Sequence, residues 1–256
     1  MVFLPGTTGR RRLCLMRHGF VDYTSKRVRA SRDPSLAMLT EEGRAEADAA
    51  GAALADVHFD LALCSGLART RETAERVLAH HPYDLELEDE PRLAELKSGQ
   101  YIDFRSAEQL AATMTFQFEQ AGEPGATFLE GGEPFADAMA RIADGIEALL
   151  RRPNWHTALV VAHEGVNRLA LTWAIGAPLG ASAAFEQDTG CINILDFDLV
   201  PDETGTASRI ERVLIKAVNL TPANYLKNGM NLRSLESIFT RAVDMPGTDP
   251  EPSPRG

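Results

Sequence analysis

Short apolar runs that stop at turn formers recur along the chain, separated by segments whose apolar positions return every three or four residues. Leu13-Cys14-Leu15-Met16 gives out at Arg17-His18-Gly19, and Leu61-Ala62-Leu63-Cys64 at Ser65-Gly66. Leu159-Val160-Val161-Ala162 gives out at His163-Glu164-Gly165. Runs of this length and boundary suit buried parallel strands. The intervening periodicity predicts helices over residues 40–55, 67–79, 134–150 and 166–175. Thr40, followed by Glu41 and Glu42, reads as a capped helix start, and Pro153 as a stop. Further strands are expected over 61–65, near 85–87 and over 157–162, 191–197 and 209–217. A last amphipathic helix would be capped by Asn231, with Leu232, Leu235, Ile238 and Phe239 on one face. This alternation implies an α/β fold, a three-layer α/β/α sandwich whose central sheet is mostly parallel.

Residues 100–132 interrupt that rhythm. They carry Tyr101, Phe104, Met114, Phe116, Phe118 and Phe128 and close at Gly131-Gly132, which reads as an inserted, partly helical lid with its aromatics used in packing. The expected organisation is a flexible arm over 1–10, one α/β domain over 11–243, and a Pro- and Gly-rich disordered tail over 244–256.

Composition narrows the classes. A chain of 256 residues, 44% hydrophobic, can bury one sizeable core. Against 37 acidic residues stand 26 basic ones, a formal charge of −11. That argues against a nucleic-acid partner bound through a broad basic face, but not against one cationic pocket. No apolar run is long enough to span a bilayer, so no membrane partner is expected, and the first nine residues do not read as a signal peptide. Cys14, Cys64 and Cys191 lie in or beside strand-like runs and read as buried free thiols in a reducing, cytoplasmic setting. No Cys-x-x-Cys or His-x-x-x-His spacing suggests structural zinc.

The strand ends hold the candidate chemistry, because ligands in α/β sheets bind beyond the carboxyl ends of the strands. Arg17 and His18 pair a fixed cation with an imidazole. Ser65-Gly66-Leu67-Ala68-Arg69-Thr70-Arg71-Glu72-Thr73-Ala74 supplies Arg69, Leu93-Ala94-Glu95-Leu96-Lys97-Ser98-Gly99 supplies Glu95, and the third run delivers His163. Taken singly, these are a helix-face charge, a surface carboxylate and a core histidine. In this order and together, the four stretches resemble the histidine phosphatase superfamily, in the branch with cofactor-dependent phosphoglycerate mutases and many small phosphatases. The resemblance spans roughly residues 11 to 200.

It implies catalytic roles for His18 (nucleophile), Arg17 and Arg69 (forked donors to phosphate), His163 (a further donor) and Glu95 (proton donor and acceptor), with no metal or other cofactor. Backbone N–H groups at Gly165, where a helix should begin, would add to the cradle. The chain departs from the pattern in two places: Thr24 stands where mutases carry asparagine, and Glu164 where glycine is common. A carboxylate at 164 would repel a phosphate dianion unless turned away. The lid offers Arg105 against Asp103, Glu108, Glu119, Glu123 and Glu130, the wrong charge for gripping a small trianion as a mutase must. Gly131-Gly132-Glu133 is similar to the phosphatase members, where the glutamate helps bind or polarise water.

The expected function is therefore hydrolysis of a small phosphorylated metabolite through a phosphohistidine. Mutase-type phosphoryl transfer and a non-catalytic phosphate-binding module are the alternatives. Oligomeric state, homodimer included, and the roles of Asp22, Glu164 and the basic loop 26–32 stay open. His58, His80, His81 and His156 are expected to be solvated.

Overall fold

The structure is a computed structural model describing residues 9–23, 25–99, 113, 116–203, 208–227 and 233–241. Strand side chains alternate between two apolar layers, as a pleated strand requires. In β1 (Gly9–Arg17), Leu13 and Leu15 face one layer and Cys14 and Met16 the other. Ala62 and Cys64 oppose Leu63 in β2 (Leu61–Cys64), and Leu159 and Val161 oppose Ala158 and Val160 in β4 (Thr157–Ala162). One face of the sheet is covered by α2 (Glu41–Leu54) and α3 (Ala68–Leu78), through Ala50, Leu54, Ala74 and Val77. The other is covered by α4 (Phe135–Arg151) and α5 (Glu164–Ala174), through Phe135, Ile142, Ile146, Val166 and Leu169. Burial on both faces of the strands is why they read as continuous apolar runs.

The six strands run in the order β3-β2-β4-β1-β5-β6, with β3 at Leu87–Asp89, β5 at Ile192–Pro201 and β6 at Ser208–Leu220. The four strands from β3 to β1 are mutually parallel, while β5 and β6 are antiparallel to their neighbours. Arg17 pairs with Ala162, and Cys64 with Val161. The carboxyl ends of β1, β2 and β4 therefore finish at the same level, and the residues that follow them face one another.

Several boundaries differ from expectation, β5 running on to Pro201 and β6 to Leu220. The last two residues of the arm belong to β1, because Arg10 and Arg12 stand directly across from Asp198 and Asp196 of β5. Each is clamped there at 2.7 Å. Strand β3 begins two residues later than expected, at Leu87, where pairing with Ala62 starts. Helix α5 begins at Glu164 with His163 as its N-cap. Thr40 caps α2 as expected, accepting from the Gly43 N–H at 3.1 Å.

His81 is a correction: it is buried, and its ring meets the carbonyls of Val77, Leu54 and Val57, because it closes the space between α2 and the end of α3. The three cysteines are buried and free. Part of the lid is described: Phe118 and Phe128 pack with Phe135, ring centroids 5.5 to 6.2 Å apart, so these aromatics are core. Tyr101, Phe104, Met114, Asn231 and the tail lie outside the described residues. Helix α6 (Ser234–Arg241) buries Leu235 and Ile238 in the layer of α4 and α5. No helix among the described residues is long and apolar enough to cross a membrane.

The loop after His18 reaches α2 backbone to backbone. A Cβ on Gly19 would lie 2.1 Å from the Gly43 carbonyl oxygen, and one on Gly43 2.2 Å from that of Phe20. Gly19→Ala must push the first turn of α2 away from this loop. The expected cost is roughly 1–3 kcal/mol, as for overpacked cores, read as a lower urea midpoint at unchanged m-value.

Candidate active site

His18 follows the last residue of β1 and is 1% exposed. Its Nδ1 lies 2.7 Å from the Gly19 carbonyl oxygen, which can only accept. The ring proton therefore sits on Nδ1, and Nε2 keeps its lone pair. Burial, and then the neighbouring Arg69 and Arg17, hold its pKa well below the usual 6.5, so the ring is neutral near pH 7. Arg69, on the first turn of α3, donates from Nε to His18 Nε2 at 3.2 Å and from Nη1 to the carbonyls of Pro34 and Ser35. Arg17 donates from Nη1 to the Gln187 carbonyl, while its Nε is buried without a partner among the described residues.

His163 follows the last residue of β4, with its ring 5.2 Å from that of His18. Ser65, at the end of β2, lies 2.8 Å from His163 Nε2 and 2.9 Å from Thr70 Oγ1, and Thr70 donates to the Leu67 carbonyl at 2.8 Å. That carbonyl takes Thr70's only hydrogen, so Ser65 must donate to Thr70 and accept from His163 Nε2–H. His163 Nδ1 is then a bare, buried lone pair without a partner among the described residues, 3.9 Å from Glu95 Oε2. Burial, then Arg69, His18 and Arg17, hold His163 well below its ordinary pKa.

Glu95 lies in the segment after β3. Its carboxyl pKa is raised by burial, against the opposing Leu96 N–H, which donates to Oε1 at 3.0 Å. Arg141 of α4 fastens this segment, donating to the carbonyls of Arg92 and Ala94 while both its remaining donor positions meet Glu133 at 2.8 Å. Gly165, in the first turn of α5, lets Glu95 approach: a Cβ there would lie 2.8 Å from Glu95 Oε1. Two forked cations, two neutral imidazoles of opposite tautomer and a carboxyl that holds its proton unusually well thus converge where strands end and a helix begins. Such a cradle fits an oxyanion and can transfer a group to nitrogen.

Residues 13–201 match the sequence profile of the histidine phosphatase superfamily (branch 1). The chain belongs to this superfamily. Among its relatives is an adenosylcobalamin/alpha-ribazole phosphatase of Escherichia coli (strain K12), 29% identical over 187 residues, covering 73% of this chain and 90% of the relative. A 2-carboxy-D-arabinitol-1-phosphatase of Triticum aestivum is 26% identical over 222 residues, 86% of this chain but 43% of the relative. The chain thus spans less than half the length of that plant relative. The solved structure of an alpha-ribazole phosphatase from Shigella flexneri overlays with a TM-score of 0.59 at 26% identity, covering 81% of this chain and 96% of that one.

Of the residues expected from the superfamily pattern, the structure brings together Arg17, His18, Arg69, Glu95, His163 and Gly165; Thr24 lies outside the described residues. Arg141 donates to both oxygens of Glu133, at 2.8 Å each. Lys26, Arg27 and Arg29 are exposed on a short helix, α1 (Lys26–Ser31). Sequence reasoning missed Ser65, Arg141 and Gln187 as supports. Only Ser65 carried a signal, standing at a strand end in line with Arg17 and His163. The hydrogen-bond pattern predicts opposite tautomers at pH 7, His18 protonated on Nδ1 and His163 on Nε2. Long-range ¹H–¹⁵N spectra of the imidazoles check this, and Ser65→Ala is expected to alter the His163 pattern alone.

Proposed function

We propose that this chain is a metal-independent phosphomonoester hydrolase acting on small phosphorylated metabolites through a phosphohistidine on His18. The observation that carries the reading is the Nε2 lone pair of a buried, neutral His18, with Arg17, Arg69 and His163 around it. An incoming phosphomonoester draws the Arg69 guanidinium from Nε2 to its own oxygens, with Arg17 Nε a further donor. Nε2 attacks phosphorus as the bond to the ester oxygen breaks, and the Glu95 carboxyl gives its proton to the leaving alkoxide. The Nδ1–H bond to Gly19 persists and orients the phosphorylated ring. Glu95, now a carboxylate, takes a proton from water as water attacks phosphorus. The N–P bond breaks and phosphate leaves. His163 takes up a proton on Nδ1 when the oxyanion binds and then donates to it. Gly165 N–H contributes to the cradle, and Thr24 stays a candidate donor.

Relatives named as phosphatases support hydrolysis over mutase chemistry, as does the lid. Its described part, residues 116–132, carries Glu119, Glu123 and Glu130 and no basic residue. An ester whose remainder is neutral or apolar suits that wall better than a second anionic group. Three buried free thiols fit a cytoplasmic setting.

Phosphate release from an aryl phosphate in excess EDTA is expected for the wild type and lost in His18→Ala; release that survives in the mutant would refute the phosphohistidine route. The pH dependence follows from the shifts. Activity falls with rising pH as Glu95 ionises at its raised pKa, and with falling pH only when His18 protonates at its depressed one. An optimum on the acid side of neutrality is therefore expected. Glu95→Gln should slow esters of poor leaving groups by about 10²- to 10⁴-fold and p-nitrophenyl phosphate far less, read from rates across a leaving-group series.

A further inference from the structure

Glu164 is a carboxylate buried beside a phosphate cradle, where the superfamily resemblance expects glycine. It stands at the positive end of α5 and is 3% exposed. Its two oxygens face different ways. Oε2 is 2.7 Å from Arg17 Nη1. Oε1 accepts from Arg168 Nε at 3.0 Å, from Arg168 Nη2 at 2.8 Å and from Ser234 Oγ at 3.1 Å. Ser234 opens α6, beyond the residues matched by the superfamily profile. Its own N–H donates to Glu186, which also meets Arg168. The Arg168 guanidinium is stacked 5.0 Å from the Phe118 ring of the lid.

We infer that Glu164 is a positioning residue for Arg17, and that Ser234 ties its carboxylate to the C-terminal helix, so that phosphate affinity depends on that helix being docked. The inference rests on the reading of Arg17 as a phosphate ligand. With Nη1 donating to the Gln187 carbonyl and ion-paired with Glu164, whose Oε2 takes no aligned hydrogen bond, Arg17 has Nε left over, buried and without a partner among the described residues, and that charge pair sets its place before an oxyanion arrives. The same carboxylate competes with phosphate for the arginine's charge. Ser234 and Arg168 draw part of that competing charge away on Oε1. Losing the Ser234 contact leaves more of it on Arg17. In a buried site such charge effects are large.

The test uses the full chain, with calorimetric binding of inorganic phosphate beside steady-state hydrolysis of an aryl phosphate. Glu164→Gln removes the competing charge and loosens Arg17: phosphate is expected to bind about tenfold tighter, with kcat and KM both lowered. Ser234→Ala is expected to shift affinity the other way, to severalfold weaker binding. Glu164→Asp keeps the charge and should return phosphate affinity close to wild type. These opposite shifts separate positioning from a merely structural role, which would lower the melting temperature of each variant and leave phosphate affinity and kcat alone. That second result would overturn the inference while the proposed function stood. If Glu164→Gln fails to fold, Ser234→Ala and Glu164→Asp decide. A wild type that binds phosphate but hydrolyses no ester would sink the proposed function, and the calorimetric arm would still judge Glu164. A wild type that binds no phosphate would overturn both.

Discussion

Two guanidiniums are buried where the parallel strands end, Arg17 at 3% and Arg69 at 2% exposure. Taking such charges out of water costs several kcal/mol each unless their hydrogens find acceptors. Much of the surrounding structure supplies those acceptors. The Pro34 and Ser35 carbonyls that meet Arg69 belong to a loop with its own small core of Val21, Val28, Ala37 and Leu39. The Gln187 carbonyl that meets Arg17 is fixed by exchange of side-chain hydrogen bonds with Asn193, which also reaches the Leu15 carbonyl of β1. The antiparallel strand β5 is thus part of the site's foundation, although it ends at the opposite edge from the site.

Those acceptors satisfy the arginines in part, and the cradle stays electropositive. Burial first, and after it that residual field, keeps both imidazoles neutral. Burial acts in the opposite sense on Glu95 and raises the pKa of its carboxyl. Arg141 comes last among the cations that lower the pKa of His163, and Glu133 meets it at bidentate range. The protein therefore separates two uses of arginine. One kind faces solvent-excluded space and waits for an anion, and the other is already paired and serves as a fastener for the segment that carries Glu95.

The sheet was legible in the sequence because strands buried on both faces are apolar throughout, and helix starts such as Thr40 carry their own capping chemistry. The six residues that converge beyond the strand ends were legible because the four stretches that carry them resemble the superfamily in their order and context. Less visible were contacts between residues far apart in sequence. Arg10 and Arg12 look like a loose basic leader until Asp196 and Asp198 are seen across the strand pair. His81 looks solvated until three carbonyls from two helix ends surround it. Glu164 looks repulsive to phosphate until Arg17, Arg168 and Ser234 are found on its two oxygens. In each case the deciding partner lies on an element whose placement depends on tertiary packing, which local periodicity does not report.

The Arg69 Nε–H that rests on His18 Nε2 has one more consequence. An imidazole buried in a neutral state is a good nucleophile, open to acylation or alkylation by any small electrophile that wanders in. Here its lone pair is already shared with a cation, and uncharged reagents offer that cation nothing to leave for. On the function proposed above, only a molecule that brings its own oxyanion draws the guanidinium aside, and the resting site wears a chemical safety catch released by charge.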